Sequence, residues 1–196
     1  MKLAAFSMIF GLALAACSGS GGLGPDPEIY REPIGLTAES LARLNVRSVS
    51  VSVPTSLIVS TNPNEQFPQT DIVWYEDPVG DRRVQVQTIV ETGMKQAVAG
   101  LRGSAQVDVL VTVRKFHAVT PKALASSLPA WHDIKLDIQI RSADSTAVAA
   151  SVGLNADSIA LTQGTARAAL AAGETQKSRI IARISQAVRL WLQSGA

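Results

Sequence analysis

Few side chains in this sequence have a type and position suited to chemistry. There is a single cysteine, Cys17, and two histidines, His117 and His132. One cysteine cannot form an intramolecular disulfide or a cysteine-based metal site. The histidines stand fifteen residues apart, each beside an aromatic, Phe116 and Trp131. If the segments carrying them pair as strands, the rings approach each other near one end. Asp133 is then the one obvious additional ligand, too few for a metal site. No nucleophile elbow, HExxH, P-loop or strand-to-helix GxGxxG occurs, so neither a catalytic site nor a cofactor is expected. Acidic neighbours such as Glu76-Asp77 read as solvated residues of a loop. A net charge of +2 over 196 residues, with no basic run, also argues against nucleic acid.

Cys17 is different because of what precedes it. Lys2 is followed by 14 uncharged, mostly apolar residues, Leu3 to Ala16. A spanning helix needs about 20 such residues and a secretory h-region roughly 7–15, so the stretch reads as an export signal. It ends in Leu14-Ala15-Ala16-Cys17, which resembles a lipobox. In that class of signals the thiol takes a diacylglyceryl group and the chain is cut just before the cysteine. The implied layout is a signal peptide at 1–16 and a lipidated Cys17 with a Gly/Ser/Pro tether at 17–27. A single periplasmic domain follows at 28–196. Ordinary cleavage after Ala15, leaving a free thiol, is the alternative. Ser18 after the cysteine resembles an outer-membrane sorting residue, so the expected location is the outer membrane, lipid-anchored and facing the periplasm.

The domain's elements follow from periodicity. Thr37 caps a short helix through Leu44. Val49, Val51 and Val53 alternate with serines in a strand over 46–53, which Pro54 ends. Asp81 caps an amphipathic helix running to about Leu101. Alternation then marks strands over 107–113, 134–140 and 147–154, the last two joined as a hairpin. A second amphipathic helix covers 174–193, with Lys177, Arg179, Arg183 and Arg189 away from its apolar face. The Ala-rich stretch 156–172 is ambiguous. The order β-α-β-β-β-α predicts an α+β fold: an antiparallel or mixed sheet of about four strands with both helices on one face. The strand-helix-strand start allows a parallel first pair.

The segment 60–80 is irregular around Ile72-Val73-Trp74-Tyr75. Trp74 reads first as a plug of the core edge. Trp74, Tyr75 and Leu190, on the polar side of the last helix, are the candidate partner contacts.

Three stretches carry a resemblance: Asp71-Ile72-Val73-Trp74 through Asp77-Pro78-Val79-Gly80-Asp81-Arg82, then Arg114-Lys115-Phe116-His117-Ala118-Val119-Thr120, then Thr175-Gln176-Lys177-Ser178-Arg179-Ile180. In order and spacing they resemble a family of alphaproteobacterial lipoproteins defined as a domain of unknown function. A looser likeness, in architecture, is to auxiliary lipoproteins of envelope ABC transporters, and it implies lipid or small-molecule traffic. The expectation is a non-enzymatic envelope lipoprotein, held to the membrane through Cys17 and working with envelope protein partners. A ligand-binding module is the second reading, and a metal enzyme using His117 and His132 the third.

Overall fold

Two strands of 13 residues each, β4 (Ala105–His117) and β5 (Ala130–Ser142), form the spine of the computed structural model, which describes residues 29–194. The signal segment, Cys17 and the tether lie outside those residues. The spine strands pair antiparallel, with Val109 opposite Ile140, Val111 opposite Ile138 and Val113 opposite Leu136. All six side chains are buried. Alternation throws Asp108, Thr112, Lys135, Asp137 and Gln139 to the other face.

Strands this long have room for two neighbours on each outer edge. β2 (Leu44–Ser52) and β3 (Ile72–Val73) both run parallel to β4, one along its first half and one at its end. β6 (Val148–Asn155) and β7 (Ser158–Ala160) share β5 in the same way, both antiparallel. β1 (Ile29–Ile34) pairs with β6 as an edge strand. The sheet is therefore mixed and seven-stranded, along the path β1-β6-β5-β4-β2.

This corrects the expected four strands, which are β2, β4, β5 and β6. β3 and β7 have two and three residues, too few for alternation to show. β1 carries Glu32 and Pro33, residues that strands tolerate at edges.

The two long helices pack on one face. α2 (Arg82–Val98) starts at Asp81, whose carboxylate accepts the Arg83 and Val84 N–H groups. α5 (Gln176–Ser194) buries Ile180, Ile184, Val188, Trp191 and Leu192. Three short helices complete the fold: α1 (Ala38–Arg43), α3 (Pro121–Leu124) and α4 (Gln163–Ala171). Arg183 overturns its expected place on the basic surface of α5. It is 1% exposed, and its Nε donates to the Asp157 carbonyl at 2.7 Å, so a guanidinium is accommodated by a backbone partner.

α2 and α5 touch at Gly93. A Cβ there would lie 2.9 Å from both Cβ and Cγ2 of Ile184 and 3.1 Å from the Ile181 carbonyl. These are atoms at or near the backbone and cannot swing aside. Alanine would gain about 1 kcal/mol in helix propensity, against about 1–3 kcal/mol for overpacking. Gly93→Ala is therefore expected to lower Tm by about 2–4 °C, a net loss near 1 kcal/mol. A rise in Tm in thermal denaturation would mean that the helices separate freely.

Candidate functional site

The stretches 71–82, 114–120 and 175–180 converge at one end of the sheet. β3 places Ile72 opposite Phe116 and Val73 opposite His117. The Phe116 N–H donates to the Asp71 carbonyl at 2.9 Å, and the Ala118 N–H donates to the Val73 carbonyl at 3.0 Å. The chain then turns toward the start of α5, where helical geometry leaves backbone N–H groups without partners. Glu76 supplies the acceptors. Its two carboxylate oxygens take the N–H groups of Gln176 at 2.8 Å and Lys177 at 2.6 Å, and its charge suits the positive end of the helix. Thr175 accepts from the Ser178 N–H at 3.0 Å as a local cap.

Asp77 ties the same three parts together. It accepts from the Trp74 indole at 2.8 Å and from the Lys177 ammonium at 2.7 Å. Burial pushes its carboxyl pKa up, but the bonds from Lys177 and Trp74 and the charges of Lys177 and Arg82 outweigh that. The group is held below the usual carboxylate range. Glu76 and Asp77 are thus anchors: Glu76 keeps the solvent exposure expected from sequence while capping α5, and Asp77 is drawn inward. The partners that make them anchors lie 100 residues away.

Trp74 is 1% exposed and meets Phe116 edge-on, with centroids 5.9 Å apart. This removes it as a contact point on the surface, because its indole is spent on the core and on Asp77. Tyr75 is half-buried, its hydroxyl shares a hydrogen bond with Ser60 at 2.9 Å, and Arg82 lies over its ring. Leu190 is partly exposed on α5. It stands 13 residues beyond Lys177, about 20 Å along the helix, so the structure does not bring it together with Tyr75.

The two histidines also part company. The Gln176 side-chain carbonyl accepts the Val119 N–H at 3.1 Å, which fixes the amide's orientation. The His132 Nε2, 3.1 Å from that oxygen, must donate to it, so Nδ1 accepts from the Ser158 hydroxyl at 3.1 Å. Burial, followed by the charge of Arg179, pushes the His132 pKa down to about 4 against the raising effect of the Gln176 bond. The ring is neutral and both nitrogens are engaged. His117 donates through Nε2 to the Pro68 carbonyl at 3.1 Å, and burial lowers its pKa as well. Pairing of β4 with β5 sets His117 opposite Asp133, but the rings join separate networks. Among the described residues no group of three or more His, Cys, Asp or Glu is placed to hold a metal ion.

The opposite face of the sheet carries a second cluster, invisible to sequence patterning. Asp137 accepts from the Tyr30 hydroxyl at 2.7 Å, from Arg31 at 3.3 Å and from Arg114. Burial raises its pKa, but the bonds from Tyr30 and Arg114 and the two guanidinium charges together lower it. Gly153, opposite Asp137 on β6, makes the approach possible: a Cβ there would lie 2.6 Å from the Tyr30 ring. The lone glycine inside a strand was the available signal for such a close approach.

In both clusters the charged and hydrogen-bonding groups answer one another. They lock β3, the end of β4 and α5 together, and pin the edge strand to the sheet. No described helix is long and apolar enough to cross a membrane.

Comparison with known proteins gives little beyond kinship. No curated protein matches. A Caulobacter crescentus CB15 protein assigned as a lipoprotein is 13% identical, covering 55% of this chain and 80% of its own, with a TM-score of 0.38. The PelC dodecamer from Paraburkholderia phytofirmans is 9% identical, covering 81% and 97%, with a TM-score of 0.34. Likenesses of that size carry no argument. The model of a family of unknown function, DUF6778, matches residues 44–196, which include all three converging stretches. The chain belongs to that family.

Proposed function

We propose that the protein is a lipid-anchored envelope lipoprotein whose domain acts as a non-enzymatic accessory component, working through envelope protein partners. One observation carries the reading: the sole cysteine stands directly after 14 uncharged residues, too few to span a bilayer. Two or more acyl chains hold stably where one does not. Ser18 favours the outer membrane. The domain suits the role because His132, Asp77 and Asp137 are spent on locking its own elements together.

Cys17→Ala is expected to abolish incorporation of labelled palmitate and to move the protein from the detergent phase to the aqueous phase. Palmitate labelling that survives the substitution would sink the reading.

A second reading, a lipid- or small-molecule-binding auxiliary lipoprotein of a transport system, draws support from a groove between α3 and α4. It measures about 760 Å³ and is lined by Pro121, Leu124, Ala166 and Leu170. Native mass spectrometry of the purified protein should then show a co-purified ligand, and consistently empty protein would argue against it.

A further inference from the structure

Five large apolar side chains, Phe67, Leu128, Trp131, Ile159 and Leu170, are each between 50% and 61% exposed. They gather at one end of the molecule. Trp131 pairs across strands with Ile159, and Phe67 lines a cleft of about 220 Å³ together with Trp131 and Pro129. α3 joins the two halves: Ala123 lines that cleft, while Pro121 and Leu124 line the groove that ends at Leu170. Exposed apolar side chains grouped around one short helix in this way mark a contact.

Charge says with what. Residues 118–132 and 158–173 contain no acid, though the chain has 16, and they present Lys122 and Arg167 to solvent. Of the acids that flank these stretches, Asp133 pairs with Lys115 at 2.6 Å and Asp157 accepts the Ile134 N–H at 2.9 Å, while Glu174 stands exposed just past α4, its charge acting on Arg179. The loop bearing Phe67 brings two acids, Glu65 and Asp71, of which Asp71 accepts the Ile58 N–H at 2.7 Å. Aromatic and aliphatic side chains with cations beside them match the boundary of a bilayer, apolar below and phosphate above.

The course of the chain points the same way. β1 runs in the same direction as β5, so the chain enters the sheet from the end that carries Trp131. Twelve residues, 17–28, separate Ile29 from the position before Cys17, a reach of about 40 Å at most. So short a leash keeps the patch at roughly millimolar effective concentration near the surface, so that weak affinity suffices.

We propose that this end of the domain docks on a phospholipid bilayer, with Trp131 at the interface and Lys122 and Arg167 on lipid phosphate. The proposal rests on the anchoring read above and adds which face turns to the membrane.

Trp131 is its own reporter, since Trp74 and Trp191 are 1% and 2% exposed. The full mature protein is reconstituted into phosphatidylglycerol vesicles containing brominated phosphatidylcholine, with Trp131→Phe assigning the signal. Docking predicts loss of Trp131 emission to the brominated lipid and loss of acrylamide quenching. Phe67→Asp with Ile159→Asp, or Lys122→Glu with Arg167→Glu, should restore both without changing flotation. All four sites are exposed and tolerate exchange. Protein that floats while Trp131 stays open to acrylamide and blind to bromine overturns the docking and leaves the anchor standing. Shielding from acrylamide without bromine quenching means a protein covers the patch, which also overturns it. Protein that does not float refutes the anchor, and the docking falls with it.

Discussion

Trp74→Ala is expected to destabilise the domain by about 3–5 kcal/mol, the range for emptying a large aromatic site in a core. The loss has three identifiable parts. The cavity opens where β3 crosses the end of β4, Phe116 loses its edge-on partner, and Asp77 loses the indole donor that helps hold it in place. For a chain of this size the result is a fall in Tm of about 10 °C or more. Trp131→Ala serves as the comparison, because that side chain is largely exposed and its removal should change stability by about 0.5 kcal/mol or less. Urea unfolding of the two variants decides the matter. Equal midpoints would mean that the segment 71–77 is not part of the cooperative core.

His132 gives the domain an acid-sensitive element with a defined window. Its folded pKa is near 4 against an ordinary 6.5, so between those values the unfolded chain binds a proton that the folded chain refuses. Stability then rises with pH across the window, and it is lost as pH falls from 6.5 toward 4. At about 1.4 kcal/mol per pH unit the loss attributable to this ring reaches about 3 kcal/mol. His132→Asn removes the titrating group. Its stability, measured by urea titration at pH 7, 6, 5 and 4, should fall less steeply than that of the wild type. Parallel curves would show that the ring is not the source. Asp77 and Asp137, both held below the usual carboxylate range, lose their contribution only at lower pH and act outside this window.

What could be read in the sequence depended on how local its cause was. β4 and β5 were legible because their buried residues alternate over many positions. The cap of α2 was legible because Asp81 and the N–H groups it accepts are neighbours. Glu76 and Asp77 were not, because an acid in a loop looks merely solvated until its partner appears on a helix 100 residues later. Arg183 failed for a related reason: a carbonyl from a distant turn, Asp157, takes its charge indoors. Trp74 stood between the two cases. Its hydrophobicity predicted burial, but only the fold shows that burial excludes the contact. The Asp137 cluster left one trace, a glycine within a strand, and nothing in the sequence named Tyr30 as the side chain that needed the space.

The edge position of β1 has a consequence for the order of assembly. Its ring-to-carboxylate bond, Tyr30 to Asp137, joins residues 107 positions apart, and its strand partner β6 comes later still. A chain made from its N-terminus must therefore carry this segment unpaired until nearly the whole domain has emerged. Loop closure over that span makes β1 a late arrival in folding. By the same logic it is the first strand to leave when the domain breathes, and each departure bares the hydrogen-bonding edge of β6 to any extended segment nearby.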